Sequence, residues 1–371
     1  MGARFTFTGK LEVNTDPNAK MYYLREGKTS NKNNYKSINM QVVQEKNNRA
    51  FVELFSMKSD VIKTMDNEGN KVDIAWEDRF DADVVKSVAS YKKTVLKTDD
   101  ERKEFISAYD AIEYFIDNID EFKGKDVTVT GQRTKNLYKD KLSDRFQITS
   151  IRVAEEDAPK KLTVTMDFYF DKSSFDTTDW AKEHKLYING YTEEYLSDLK
   201  ENRYVAQQIV FDCSKIDWEN EKHRGLVNYR LKVLGCELDK DNKVVCKLKG
   251  KNMFKMGVIT TFVNGSEQVE FDTSMLTDMQ KEAIELGIST LDDFKPSGSV
   301  YGQRVVVYKL KDFNMRSGSP YEDGYVDSDI TAKEFEEKVF VPSEAESVDD
   351  IDDDDADDEK SESGDDDDLF D

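Results

Sequence analysis

Two stretches of this chain interleave cations with aromatic rings closely enough to grip a polymer that carries both phosphates and flat bases. Residues 20–49 hold Lys20, Arg25, Lys28, Lys32, Lys36, Lys46 and Arg49 against only Glu26 and Glu45, with Tyr22, Tyr23 and Tyr35 among them. Residues 132–152 hold Arg133, Lys135, Lys139, Lys141, Arg145 and Arg152 against Asp140 and Asp144, with Tyr138 and Phe146. Cations track a phosphate backbone, and aromatic faces stack bases at roughly 1–3 kcal/mol each without sequence preference. The competing reading is a pair of solvated loops whose rings turn into the core. Two such patches in one half of the chain favour binding. A third stretch ranks lower: Tyr229 and Arg230, then Lys243, Lys247, Lys249, Lys251, Phe254 and Lys255, with no acid from 243 to 255. It reads either as a second binding lobe or as a hairpin whose lysines guard a sheet edge.

Catalytic signatures are missing. Gly27-Lys28-Thr29 ends like a phosphate loop, but Tyr22 stands where the first glycine is required, and polar residues 30–34 follow instead of a helix. His184 and His223 have no Cys or carboxylate at ligand spacing, so no zinc site is expected. The aspartates near the C-terminus lack the glycine and closing Glu of a calcium loop. No nucleophile motif is present. The expectation is a binding protein without cofactor or metal.

Residues 344–371 carry seventeen Asp or Glu against Lys360, and so contribute −16 of the chain's −23. Such a segment cannot bury enough apolar surface to offset its ordering entropy and is expected to be a disordered arm. It closes on Asp365, Asp366, Asp367, Asp368, Leu369, Phe370 and Asp371. A solvating tail has no use for an exposed aromatic, so the tip suits docking into a basic-rimmed apolar pocket of a partner. The rest of the chain carries only −7, so an anion-binding surface must be local.

The elements that must position these residues are mostly strands. Phe5, Phe7 and Gly9 alternate with Thr6, Thr8 and Lys10; residues 37–44 and 50–56 flank a hairpin turn; residues 66–70 make a second turn before 72–76. Thr98 with Glu101 reads as a capping box for a helix through Phe105, Tyr109, Ile112, Phe115, Ile119 and Phe122, ending near Gly124. Strands at 126–131 and 145–153 follow, separated by a basic loop. Strands, one helix, then two strands is the order of a five-stranded Greek-key barrel of OB type.

In the second half, 276–286 reads as a helix. Leu291-Asp292-Asp293-Phe294-Lys295 with Gly302-Gln303-Arg304 matches Ile119-Asp120-Glu121-Phe122-Lys123 with Gly131-Gln132-Arg133. The expected fold class is therefore mainly β with a few helices: two tandem OB-like five-stranded Greek-key barrels, residues 1–157 and 158–342, with the linker near Pro159 and an acidic tail over 343–371. Three cysteines, all in one half and without a Cys-x-x-Cys pair, point to free thiols. With no secretory signal and no apolar run of membrane length, a cytoplasmic chain with no membrane partner is expected.

Aromatic-basic loops on OB-type barrels, followed by an acidic arm with a hydrophobic tip, resemble the single-stranded-DNA-binding proteins of bacteria and bacteriophages. Bacterial members end in acids followed by Ile-Pro-Phe; here Phe370 is penultimate and no proline precedes it. The length and the two barrels look more like a phage replication protein, which would act in the cytoplasm of the infected host. The resemblance implies sequence-independent binding of single-stranded DNA during replication, recombination and repair. It also implies an arm that recruits a polymerase, helicase or recombinase and competes for the DNA site. The rival readings are an acidic chaperone or DNA mimic that binds basic proteins, and a structural assembly module.

Overall fold

The computed structural model describes residues 2–29, 32–45, 48–138, 141–248, 253–268, 277, 301–314 and 332–341. The acidic arm, the expected helix at 276–286 (apart from Thr277), Lys139, Lys249 and Lys251 lie outside the described residues, as does the side chain of Tyr138.

The first half contains β1 (Arg4–Glu12), β2 (Leu24–Lys28), β3 (Asn34–Glu45), β4 (Asn48–Met57), the hairpin β5 (Val61–Met65) and β6 (Lys71–Ala75), α1 (Ala82–Ser87), β7 (Thr94–Lys97), β8 (Arg102–Phe105), α2 (Ala108–Asp117), β9 (Asp126–Tyr138) and β10 (Lys141–Val153). Five of these strands pair in a closed circuit: β1 with β3, β3 with β4, β4 with β10 in parallel, β10 with β9, and β9 back to β1. Alternation drives the closure. Phe5, Phe7 and Leu11 of β1, Ile38, Met40 and Val42 of β3, and Val52 and Leu54 of β4 point to one buried interior. The ring's end is covered by α2, which buries Ala111, Ile112 and Phe115, with Phe122 stacked on Phe115 at 5.3 Å.

The second half contains β11 (Lys161–Phe170), β12 (Phe175–Asp176), α3 (Trp180–Glu183), β13 (Lys185–Leu196), β14 (Glu201–Asp212), α4 (Glu221–Val233), β15 (Cys236–Leu238), β16 (Val244–Cys246), β17 (Phe254–Gln268), β18 (Tyr301–Phe313) and α5 (Ala332–Lys338). A second circuit closes in the same sense: β11 with β13, β13 with β14, β14 with β18 in parallel, β18 with β17, and β17 with β11. Strand by strand, β1, β3, β4, β9 and β10 correspond to β11, β13, β14, β17 and β18, and α2 corresponds to α4.

The two rings share an edge. Residues Arg4 to Thr8 of β1 pair antiparallel with β11, from Arg4↔Thr165 to Thr8↔Lys161, and past Gly9 the strand pairs with β3 of its own ring. A Cβ on Gly9 would sit 2.4 Å from the Val43 carbonyl oxygen, so only glycine permits that crossing; Gly190 meets the Tyr169 carbonyl at the same distance where the second ring closes. The buried side chains of both rings form one continuous cluster, in which Phe262 of β17 packs 6.0 Å from Phe7 and 5.1 Å from Phe146.

Three expectations are corrected. Thr98 and Glu101 do not cap a helix: the Glu101 amide donates to the Thr98 hydroxyl at 3.0 Å in the turn between β7 and β8, and α2 begins at Ala108 with Ser107 as its cap. The same Thr-x-x-Glu chemistry satisfies a tight turn as readily as a helix start. The basic loop between the strands near 131 and 145 is the outer half of a long hairpin, with β9 running to Tyr138 and β10 starting at Lys141. The Gly-Gln-Arg match joins strands that are not equivalent, because Gly131 lies on β9 and Gly302 on β18, whose counterpart in the first ring is β10.

Candidate nucleic-acid interface

The outer face of β3 and β4 gathers part of the first aromatic-cationic set. Side chains of β3 and β4 that do not enter the ring alternate outward: Tyr35, Ser37, Asn39 and Gln41 lie opposite Met57, Phe55, Glu53 and Phe51. The short strand β2 extends this face, with Arg25 opposite Ser37 and Gly27 opposite Tyr35. The Tyr35 ring lies directly over Gly27, where a Cβ would meet ring carbons at 2.8 Å. A cleft of about 330 Å3 runs along the face, lined among others by Met21, Tyr22, Arg25, Gln41, Phe51 and Arg145.

Local contacts set these groups in place. Arg145, outward on β10, donates from Nε to Glu53 Oε2 at 2.6 Å and lies 5.4 Å over the Phe55 ring. Glu53 also accepts from the Ser37 hydroxyl at 2.8 Å, and Tyr35 and Phe55 approach at 6.1 Å. Arg49 donates from Nη1 to Gln41 Oε1 at 3.0 Å. Phe51 is 38% exposed, and Tyr22, edge-on to Tyr23 at 4.9 Å, is half-buried. The result is a strip of rings, open to solvent, with guanidinium groups beside them.

Several residues named from the sequence do other work. Tyr23 is core, and burial together with the neighbouring Tyr22 raises its phenol above the ordinary value. Phe146 is 4% exposed, enclosed by Phe5, Phe7 and Phe262, so it cannot stack a base. Lys36 turns toward α2, 3.0 Å from Glu113, 3.3 Å from Glu26 and over the Tyr109 ring at 5.0 Å. Burial opposes its charge, but the two carboxylates win and raise its pKa. Lys28, Lys32 and Lys141 are exposed on their turns.

Arg133 and Lys135 are corrected most sharply. Arg133 is 1% exposed and lies between the rings, bonded to Asp144 Oδ1 at 2.9 Å, to Glu194 of β13, and to the Thr192 hydroxyl at 3.4 Å. Lys135 reaches the same Asp144 oxygen at 2.9 Å, and the Tyr308 hydroxyl of β18 donates to its other oxygen at 2.6 Å. Burial would push the Asp144 carboxyl up, but Lys135, Arg133 and Tyr308 together hold it at about 2; burial depresses Lys135 and raises Tyr308 well above its usual value. Two cations and two carboxylates neutralise one another here, so neither cation is available to a phosphate.

In the second half, Tyr229 is 54% exposed and Arg230 half-buried on α4, while Lys247 pairs with Glu237 at 2.8 Å. Phe254 is core, 6.1 Å from Phe170. The supposed second lobe is thus spread over a helix, a hairpin and a buried ring. His184 packs 4.3 Å from Trp218 in an aromatic cluster. Among the described residues no helix is long and apolar enough to cross a membrane.

Sequence reasoning missed Phe51 and Phe55. Their signal was the alternation of residues 50–56, which sends both rings to one face, directly after Arg49 at the end of the first cationic stretch.

No family model and no curated protein matches the chain. Among solved structures it is similar to the wild-type single-stranded DNA binding protein from Thermus aquaticus, at 9% identity over 87% of this chain and 97% of that one, with a TM-score of 0.32. A deletion mutant of the same Thermus protein aligns at 10% identity over 71% of this chain and 87% of that one, with a TM-score of 0.29.

Proposed function

We propose that the chain binds single-stranded DNA without sequence preference along the outer face of β3 and β4, and that it is a binding protein rather than an enzyme. The observation that carries this reading is the convergence of Tyr22, Arg25, Tyr35, Phe51, Phe55 and Arg145 on one open strand face. The circuit β1-β3-β4-β10-β9, with β4 and β10 parallel and α2 between β4 and β9, supports reading the ring as an OB barrel, and its repetition supports two barrels in tandem. In such a barrel β3 and β4 are the second and third strands, whose face binds oligonucleotides; the connections from β1 to β3 and from β9 to β10 hold the place of the flanking loops.

Stacking would supply sequence-tolerant affinity, and Arg25, Arg49 and Arg145 would follow the backbone. The acidic tail, in this reading, recruits replication and recombination proteins through Leu369 and Phe370. It also competes for the DNA site as a tethered polyanion. The test is a mobility-shift titration with a single-stranded oligonucleotide, the matching duplex and a basic protein. Preference for the single strand is expected. Binding of the basic protein alone would overturn the reading in favour of an acidic chaperone.

A further inference from the structure

The second ring has the same outer face, and the chain covers it with its own segment. In that ring β13 and β14 hold the place of β3 and β4. Pairing lines up Lys255, Tyr169, Tyr191 and Ala206 in one row across β17, β11, β13 and β14. Tyr204 stands beside the row, edge-on to Tyr169 at 5.1 Å, and the Lys255 ammonium lies 5.4 Å over the Tyr169 ring. These are the ingredients of the first ring's face: aromatic planes with a cation beside them.

Onto them folds α5. Its Phe335 ring stacks on Tyr204 at 4.6 Å with 27° between planes, and meets Tyr191 edge-on at 4.8 Å. Among the described residues the segment's backbone is held as follows: the Phe340 amide donates to the Tyr204 carbonyl at 2.9 Å, Val339 bridges Tyr204, and Arg203 donates to the Glu337 carbonyl at 3.1 Å. Tyr169, Tyr204, Met253 and Phe335 form a buried cluster separate from the core that the two rings share. Lifting α5 away therefore uncovers aromatic surface without opening that core.

We propose that the outer face of β13 and β14 is a second base-stacking site for single-stranded nucleic acid, and that Phe335 occupies the position of a base until a strand displaces it. This rests on the reading of the first ring's face. A flat ring stacked near-parallel on a tyrosine is the contact a nucleobase would make, and stacking does not depend on which base arrives. The cations of this face are paired, Lys255 with Asp167 at 3.2 Å and Arg203 with Glu201. The covered face lowers apparent affinity in proportion to the fraction of chains in which α5 has lifted.

The test uses the full-length chain and titrates oligo-dT, reading nucleotides bound per chain and dissociation constants for wild type, Phe335→Ala and Phe335→Tyr. Phe335→Ala is expected to raise the nucleotides bound per chain, and Phe335→Tyr, which keeps the stack, to behave as wild type. Adding Tyr204→Ala to Phe335→Ala should abolish the gain. Should Phe335→Ala fold poorly, chains ending at 331 and at 343 make the same comparison, since both lack the acidic arm and differ only in the covering segment. If wild type binds and uncovering the face adds no bound nucleotides, the second site is refuted while the first ring's reading stands. If only the uncovered chain binds, the second site stands and the first ring's reading falls. If none binds, both fall.

Discussion

Phe51 and Phe146 are both aromatic residues on ring-one strands, yet the structure predicts opposite phenotypes for their removal. Phe51 is 38% exposed on the outer face of β4, so Phe51→Ala takes little from the core; a solvent-facing strand position of this kind is worth about 1 kcal/mol or less of stability. If a base stacks there, the variant loses roughly 1–3 kcal/mol of binding, which is about a 5- to 140-fold rise in dissociation constant. Phe146 is enclosed by Phe5, Phe7 and Phe262, and a buried Phe→Ala change costs about 3–5 kcal/mol of folding stability. Its folded fraction should bind as wild type does. The assay is fluorescence anisotropy with labelled oligo-dT at one fixed salt concentration, because salt alone moves such affinities by orders of magnitude. Thermal unfolding of each variant runs alongside. The reasoning is refuted if Phe51→Ala combined with Phe55→Ala keeps the wild-type dissociation constant and unfolding midpoint.

Other named contacts give outcomes that stability and binding measurements can check. Arg133→Met leaves Asp144 and Glu194 facing each other with only Lys135 to offset them, which should cost about 3–5 kcal/mol in urea unfolding; adding Glu194→Gln should recover part of that loss, and no recovery would mean that the pairing contributes nothing. Asp144 and Asp212 are each held at about 2 against a usual 3.8, Asp212 by Lys309 and Ser214 working against burial. A carboxylate with a depressed folded-state pKa stabilises above its unfolded value, so stability should be level from pH 7 to near 4 and fall from there toward pH 2, as read by urea midpoints across that range. Removing residues 344–371 should tighten oligo-dT binding at low salt and have little effect at high salt, where the polyanion is screened; equal affinities at low salt would count against competition by the arm.

Much of the fold was legible because strands announce themselves by alternation. The turn after residue 44, the turn at 66–70 and the inward rings of Phe5 and Phe7 all follow from period-two patterning. What the sequence concealed is tertiary. Thr98 and Glu101 carry the residue types of a helix start, and only the pairing of Lys97 with Arg102 shows that they close a hairpin. Arg133 and Lys135 looked like loop residues because cations cluster around a presumed turn, and Phe146, on the expected strand just after it, was grouped with them. The hairpin is long enough to carry them between the rings, and the carboxylate that neutralises Arg133 from across the interface lies sixty-one residues further on. The binding-face candidates Phe51 and Phe55 share their strand with Arg49 and Glu53, and the cation over Phe55 arrives from β10.

The buried charges between the rings bear on how the two outer faces would act together. An apolar interface of the same size would be as stable or more so, since burying ions costs several kcal/mol each before pairing returns it. What the charged interface adds is registry. Arg133 of β9 is answered by Asp144 of β10 in its own ring and by Glu194 of β13 in the other, while Tyr308 of β18 answers the second oxygen of Asp144. Sliding β1 along β11 by two residues would keep the inward alternation of the strands, yet it would carry Glu194 away from Arg133 and take from that buried carboxylate the cation it meets here. The ion network and the close crossing at Gly9 together select one of the alignments that strand alternation alone would allow. A strand that engaged the open face of the first ring would meet the face of the second at a fixed separation, with α5 as the element among the described residues that has to move.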